Sequence, residues 1–126
     1  MTTAENKALV RQLYEAANAG DYAAMRRLTT PEYGEQLVTA TQAAKAQFDA
    51  PWQVLDVVAE GEQVAVHWKR EGTHTGAFHG LAPTGKPAAF DGIRLFRLAG
   101  GKVAASVGAT NTLELVRALS AAPATE

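Results

Sequence analysis

The sequence predicts an α+β domain in which N-terminal helices pack on the concave face of a cone-shaped, curved antiparallel sheet. Three observations predict it. Apolar residues recur at helical spacing through roughly the first fifty positions. From Pro51 the period changes to that of strands, which places helices first and a meander afterwards. Finally, Gly100-Gly101 joins two apolar runs, and glycine takes the positive φ of a tight hairpin turn without steric cost. Such an architecture leaves a cone between sheet and helices, and its mouth is the natural place for a ligand.

Each element follows from local pattern. Thr2 with Glu5 makes a capping-box signature, and Leu9, Val10, Leu13, Tyr14 and Ala17 then share one helical face until Gly20. Tyr22 to Leu28 reads as a short second helix stopped by Thr29, Thr30 and Pro31. Glu32 to Val38 is expected to be irregular, and a third helix is expected over Ala40 to Asp49 on alanine propensity. Gln53 to Ala59 is the first strand, with Leu55, Val57 and Ala59 on one face, and Glu60-Gly61-Glu62 is a turn. Val64, Val66 and Trp68 mark the next strand, expected to bulge at Gly72 and to run on through Thr73 to Ala77. Phe78 to Lys86 is a loop, Pro87 onward is the hairpin, and Thr112 to Leu119 is a final helix before an Ala/Pro/Thr tail. No repeat or linker interrupts the chain, so residues 1–126 are expected to form one domain.

Composition excludes several classes. The 126 residues are 47% hydrophobic and 20% charged, the proportions of an ordinary globular domain. With 12 Lys and Arg against 13 Asp and Glu, there is no basic footprint for nucleic acid. The absence of cysteine removes disulfides, thiolate metal sites and cysteine nucleophiles. Neither a signal peptide nor a long apolar run is present, so the expectation is a soluble, cytoplasmic protein with no membrane contact.

Strict alternation about Gly100-Gly101 gathers Phe90, Gly92, Arg94, Phe96 and Leu98 with Val103, Ala105, Val107, Ala109 and Asn111 on one face. An apolar surface with one cation, one amide and small residues between them resembles a small-molecule site. The alternative is a core face whose Arg94 makes a structural ion pair and whose Asn111 caps the helix beginning at Thr112. In a pocket, Arg94 would hold a ligand carboxylate, enolate or carbonyl oxygen, and Asn111 would hold a carbonyl. His74, in Gly72-Thr73-His74-Thr75-Gly76, is either an acid/base group or a solvent-facing or turn-stabilising histidine. His67 has the wrong parity for the pocket and His79 lies in a Gly/Pro-bounded loop, and no metal-binding spacing is present. Tyr14 can aim its hydroxyl into the cone. Trp52, Trp68, Phe78, Phe90, Phe96 and Val107 can line it, with Tyr33 and Gln36 at the mouth. Phosphate-loop spacing and the serine-nucleophile motif G-x-S-x-G are both missing.

Taken in order, ENKALVRQLYEAANAGD, VVAEGEQVAVHWKREGTHTGAFHGLAPTGKP, FDGIRLFRLAGGKV and NTLELVRAL resemble the SnoaL-like polyketide cyclases, or ester cyclases, of the nuclear transport factor 2-like superfamily. The resemblance is most specific at residues 72–86. It implies a cone-shaped α+β fold, a homodimer or higher oligomer, no cofactor, and ring closure by intramolecular aldol chemistry on polyketide esters. The family's post-hairpin pattern, Glu-His-Trp and then an Asp, falls here on Ala105, Ser106, Val107 and Asn111. An amide cannot serve as the family's carboxyl general acid/base. The expected activity is therefore cyclisation or isomerisation of a polyketide-like apolar molecule, in natural-product (antibiotic) biosynthesis, by templating and carbonyl or enolate polarisation. Catalytic roles fall to Arg94, Asn111 and His74, with His74 or Tyr14 as the reserve acid/base. The alternatives are a non-catalytic binding module and, more distantly, an Asp-Arg-Asp epoxide hydrolase, for which Asp91 has the wrong parity.

Overall fold

α1 (Thr3–Ala19) begins as its capping box requires: Glu5 N–H donates to Thr2 Oγ1 at 3.1 Å and Thr2 N–H to Glu5 Oε1 at 2.9 Å. Gly20, at φ 69°, ends it in the left-handed conformation. Residues 1–120 are described by this computed structural model, and the tail expected over 121–126 lies outside them. α2 (Tyr22–Arg27) follows, N-capped by the Asp21 carboxylate on Ala24 N–H.

The expected irregular segment is instead helical. α3 spans Pro31–Gln47 and so includes Glu32 to Val38. Pro31 starts this helix, in the first turn, where a missing N–H costs nothing. Gly34 lies inside it, and a Cβ there would overlap the Thr29 side chain. The glycine allows the close approach of the segment linking α2 to α3. At the other end α3 stops before Phe48, and Phe48–Asp49 form the short strand β1 rather than helix.

The sheet is antiparallel, in the order β1-β3-β4-β5, with β2 also paired to β3. Its strands are β2 (Trp52–Glu60), β3 (Gln63–His74), β4 (Pro87–Ala99) and β5 (Lys102–Thr110). β3 carries β4 on one edge and passes from β2 to β1 on the other, with Trp52 opposite Arg70 and Asp49 opposite Thr73. Gly72 sits at this changeover. No bulge occurs there, since Gly72 pairs with Ala88 in unbroken register. A Cβ at Gly72 would instead strike the Asp49 carbonyl and Ala50. β3 ends at His74, short of the expected Ala77, and residues 75–86 form the loop.

The hairpin turn is as expected, with Ala99 opposite Lys102 and both Gly100 and Gly101 at positive φ. Strict alternation fails just beyond it. Leu98 pairs with Val103 but Arg97 with Ala105, so Ala104 is a bulge residue and β5 changes parity. A second irregularity, between Val54 and Asp56, turns Leu55 outward. Leu9, Val10, Leu13 and Tyr14 of α1 meet Val64, Val66, Trp68, Phe96 and Leu98 of the sheet in the main core, beneath α2 and α3. α4 (Thr112–Ser120) closes a smaller cluster of Phe48, Ala50, Leu115 and Leu119 at the other end.

Candidate functional site

Between α1, α3 and the inner face of the sheet lies a cavity of about 470 Å³. The β5 bulge decides much of what faces it. On β4, Phe90, Arg94 and Phe96 line the wall as alternation predicts. On β5 the extra residue at Ala104 turns Ser106 and Thr110 inward, and Gly108 stands opposite Arg94. Val107 therefore faces outward and is 68% exposed, opposite Leu95. Its expected place in the pocket is corrected by that bulge. Asn111 is likewise exposed and does not line the cavity. The Asn111 side chain instead lies near Asp91, on the outer side of the sheet, where its hydrogen bond helps hold the Asp91 carboxyl low. Gly92, one of the small residues of the expected pocket face, leaves no open space, because the Trp68 indole lies across it.

The other aromatic candidates converge. Tyr14, Tyr33, Gln36, Trp52, Trp68, Phe78, Phe90 and Phe96 all line the cavity. Trp52 is fixed by Asn18, whose side-chain amide bonds both the Trp52 N–H, at 2.8 Å, and its carbonyl, at 2.9 Å. Tyr14 stands edge-on to Phe96, with ring centroids 5.9 Å apart. Tyr33 and Gln36 project from α3 rather than from a loop.

Arg94 makes no ion pair among the described residues, so the structural alternative for it is not realised. Its Nη1 donates to Ser106 Oγ at 2.9 Å, and Ser106 Oγ shares a 2.6 Å hydrogen bond with Tyr33 Oη. Ser106 can accept from both neighbours or accept from Arg94 and donate to Tyr33. In either arrangement one hydroxyl hydrogen is left for a ligand. Burial raises the pKa of Tyr33, and the Tyr14 hydroxyl is raised further by the same cause, so both are protonated donors at neutral pH. No Asp or Glu among the described residues lines the cavity. The arrangement is a set of hydrogen-bond donors with no carboxylate base, suited to oxygen that carries or develops negative charge.

His74 is fully buried and does not line the cavity. Its Nδ1 accepts from Thr84 N–H at 3.2 Å and meets Thr84 Oγ1 at 2.9 Å, tying β3 to the following loop. Of the two bland roles, loop stabilisation is the one observed, while Nε2 has no hydrogen-bond partner among the described residues. His67 lies on the outer face with Asp91 at 2.8 Å and Asp56 at 3.6 Å. His79 is exposed and reaches the cavity lining. Among the described residues no group of His, Asp and Glu is placed to hold a metal, and no helix is long and apolar enough to cross a membrane.

Several lining residues escaped the sequence reading, among them Ser106, Thr110 and Arg70. Ser106 was hidden by the bulge. Arg70 had a visible signal, since it continues the inward parity of Val64, Val66 and Trp68, and it is 3% exposed against the cavity.

A family model describing SnoaL-like polyketide cyclases matches residues 7–119. Among solved structures, a candidate SnoaL-like polyketide cyclase from Jannaschia sp. CCS1 is 26% identical, with TM-score 0.86 over 96% of this chain and 95% of that one. AclR, a candidate hydroxylase from Streptomyces galilaeus, is 24% identical, with TM-score 0.82 over 99% and 87% of the two chains. IdmH, a candidate polyketide cyclase from Streptomyces antibioticus, is 24% identical, with TM-score 0.77 over 92% and 99%. No curated protein matches the chain. With helices seated on an open antiparallel sheet as in those structures, and with the family pattern running through nearly its whole length, the chain belongs to the SnoaL-like polyketide cyclase family of the nuclear transport factor 2-like superfamily.

Proposed function

We propose that the protein is a cofactor-independent cyclase or isomerase of a polyketide-like, largely apolar small molecule. The observation that carries this reading is a carboxylate-free aromatic cavity whose donors meet at Arg94, Ser106 and Tyr33. The cavity walls would hold a flexible chain folded, and orientation alone can lower a barrier by roughly 7–11 kcal/mol in favourable cases. A β-dicarbonyl substrate reacts through its enol. The enol carbon forms a C–C bond to a carbonyl polarised by Arg94, the enol O–H becomes a ketone, and the new alkoxide takes up the proton. The Tyr33 and Ser106 hydroxyls can relay that proton without a carboxylate. Asn111 and His74 have no part in this scheme.

The test uses aromatic β-dicarbonyl compounds that close rings slowly by themselves, followed by liquid chromatography. Arg94→Ala and Tyr33→Phe should lose about 10²–10³-fold in rate, the range for removing one oxyanion donor, while Asn111→Ala should match the wild type. Folded Arg94→Ala and Tyr33→Phe proteins at the wild-type rate would overturn the reading. The missing carboxylate also favours a second reading, a binding module without catalysis, for which ligand binding with no conversion is the signature. The epoxide-hydrolase alternative has no acid among the described residues that line the cavity to support it.

The same reading includes a homodimer. Val58, Ala65, Leu95 and Val107 are register partners in one row across the outer face of the sheet. Val58 is 65% and Ile93 57% exposed beside it, an apolar surface that a second copy would cover.

A further inference from the structure

Arg70 is a buried cation without a counter-ion among the described residues. Its guanidinium lies 4.1 Å from the Trp52 ring centroid, with Phe90 at 5.7 Å and Phe48 at 5.9 Å. Nε and Nη2 donate to the Ala50 carbonyl at 3.2 and 3.0 Å, and Nη2 also to Phe48 at 3.1 Å and Ala44 at 3.3 Å. Nη1 has no hydrogen-bond partner among the described residues, yet it is not one of the fully enclosed atoms left unpaired. Arg70 is also one of the residues that line the cavity. Burial lowers the pKa to about 10, which still leaves the group charged at neutral pH. Aromatic stacking and carbonyls offset part of the cost of burying that charge, but the charge itself is not neutralised.

Its position is equally informative. Val66 is opposite Arg94 and Phe90 opposite Arg70. Four residues of extended strand separate the two sites, about 13 Å at the usual strand rise. The cavity lining therefore carries two separated cations, with Trp68 between them along the strand and Phe90 beside Arg70. Thr41 and Gln47, one helical turn either side of Ala44, supply further polar groups on the lining near the Arg70 end.

We infer that Arg70 is the seat of a ligand carboxylate, so that the substrate of this cavity is a free acid rather than its ester. The ionised head meets Nη1 at one end, where no acidic side chain among the described residues lines the cavity to repel it, and the apolar body runs along the aromatic wall. The carbonyl to be polarised then lies at Arg94 and Tyr33, a placement that rests on the function proposed above.

The test compares 2-naphthoate with methyl 2-naphthoate by isothermal titration calorimetry, which needs no turnover. Wild-type protein should bind the acid at least about tenfold more tightly than the ester, within the range for one charge-assisted hydrogen bond. Arg70→Met should reduce that ratio to about twofold or less, and Arg70→Lys should restore part of it. Because Arg70 also ties down main-chain carbonyls, Arg94→Gln provides an independent arm. The acid preference should persist in Arg94→Gln if Arg70 is the seat, and vanish if Arg94 is. Equal affinities, failure of both probes to bind, or a preference that survives in folded Arg70→Met would each overturn the inference. Acid preference without ring closure would leave it standing and remove the proposed activity. Ester turnover without acid preference would do the reverse.

Discussion

Gly108 is the position at which a small change should separate activity from stability. It stands opposite Arg94 in the β4–β5 ladder and has no positive φ, so alanine fits its backbone. A Cβ there would lie 3.0 Å from Arg94 Cζ and Nη2 and 3.0 Å from the Ile93 carbonyl. Comfortable carbon contacts are roughly 3.5–4.0 Å, so the guanidinium must retreat by about 0.5–1 Å. Its bond to Ser106 Oγ, now 2.9 Å, would stretch toward or beyond the limit of useful geometry. A misplacement near 1 Å can cost about 10²-fold in rate. The guanidinium is the mobile end of a long side chain, and Gly→Ala at a compatible site gains roughly 0.4–1 kcal/mol through the unfolded state. Against that gain the Ile93 carbonyl, which is main chain, must give by a few tenths of an ångström, so the net change in stability should stay within about 1–2 kcal/mol, a Tm shift of several degrees. Ring-closure rates beside a thermal melt check both halves. Combining Gly108→Ala with Arg94→Ala should be no slower than Arg94→Ala alone, since both act on one group. A Gly108→Ala protein at the wild-type rate, with Arg94→Ala impaired, would refute the argument that the guanidinium's placement over Gly108 matters.

Two further expectations concern the outer face. The His67 pKa is raised, chiefly by its hydrogen bond to the Asp91 carboxylate, and that of Asp91 is lowered by the same bond. The pair's stabilisation should be lost as pH rises through the raised His67 midpoint and as it falls through the lowered Asp91 midpoint. NMR titration should place the His67 midpoint above 6.5, moving back toward it in Asp91→Asn, and a wild-type midpoint at or below 6.5 would contradict the geometry. For the proposed homodimer, Leu95→Lys with Val107→Lys should give monomers by sedimentation equilibrium while leaving the fold intact. A wild-type monomer, or a dimer unmoved by both lysines, would remove this face as the interface.

Much of the fold was legible because caps, periods and turns are local. Thr2, Glu5 and Gly20 framed α1, and Gly100-Gly101 marked a hairpin whose turn partners are as expected. Pro31 misled for a physical reason. Proline is a breaker inside a helix but a good start, and Gly34 answers a tertiary contact with Thr29 that no local pattern encodes. The site was read half correctly. Arg94 and the aromatic wall followed from alternation along β4, but the bulge at Ala104 exchanged Val107 and Asn111 for Ser106 and Thr110. Nothing in Lys102-Val103-Ala104-Ala105-Ser106 announces a bulge, since alanine fits either arrangement. Arg70 is the opposite case: its parity was plain, and its position beside the charged residues Lys69 and Glu71 gave it the look of a surface residue.

The central claim is that this cavity stabilises negative charge on oxygen with donors alone, and the ionisation of bound 4-nitrophenol tests it most directly. The phenolate absorbs visibly where the phenol does not, so its pKa can be read in free and bound states without knowing the natural substrate. The account predicts that binding lowers that pKa by at least about one unit, and that Arg94→Met and Tyr33→Phe each shrink the shift. A bound pKa equal to or above the free value, as an apolar pocket without working donors would produce, would contradict it.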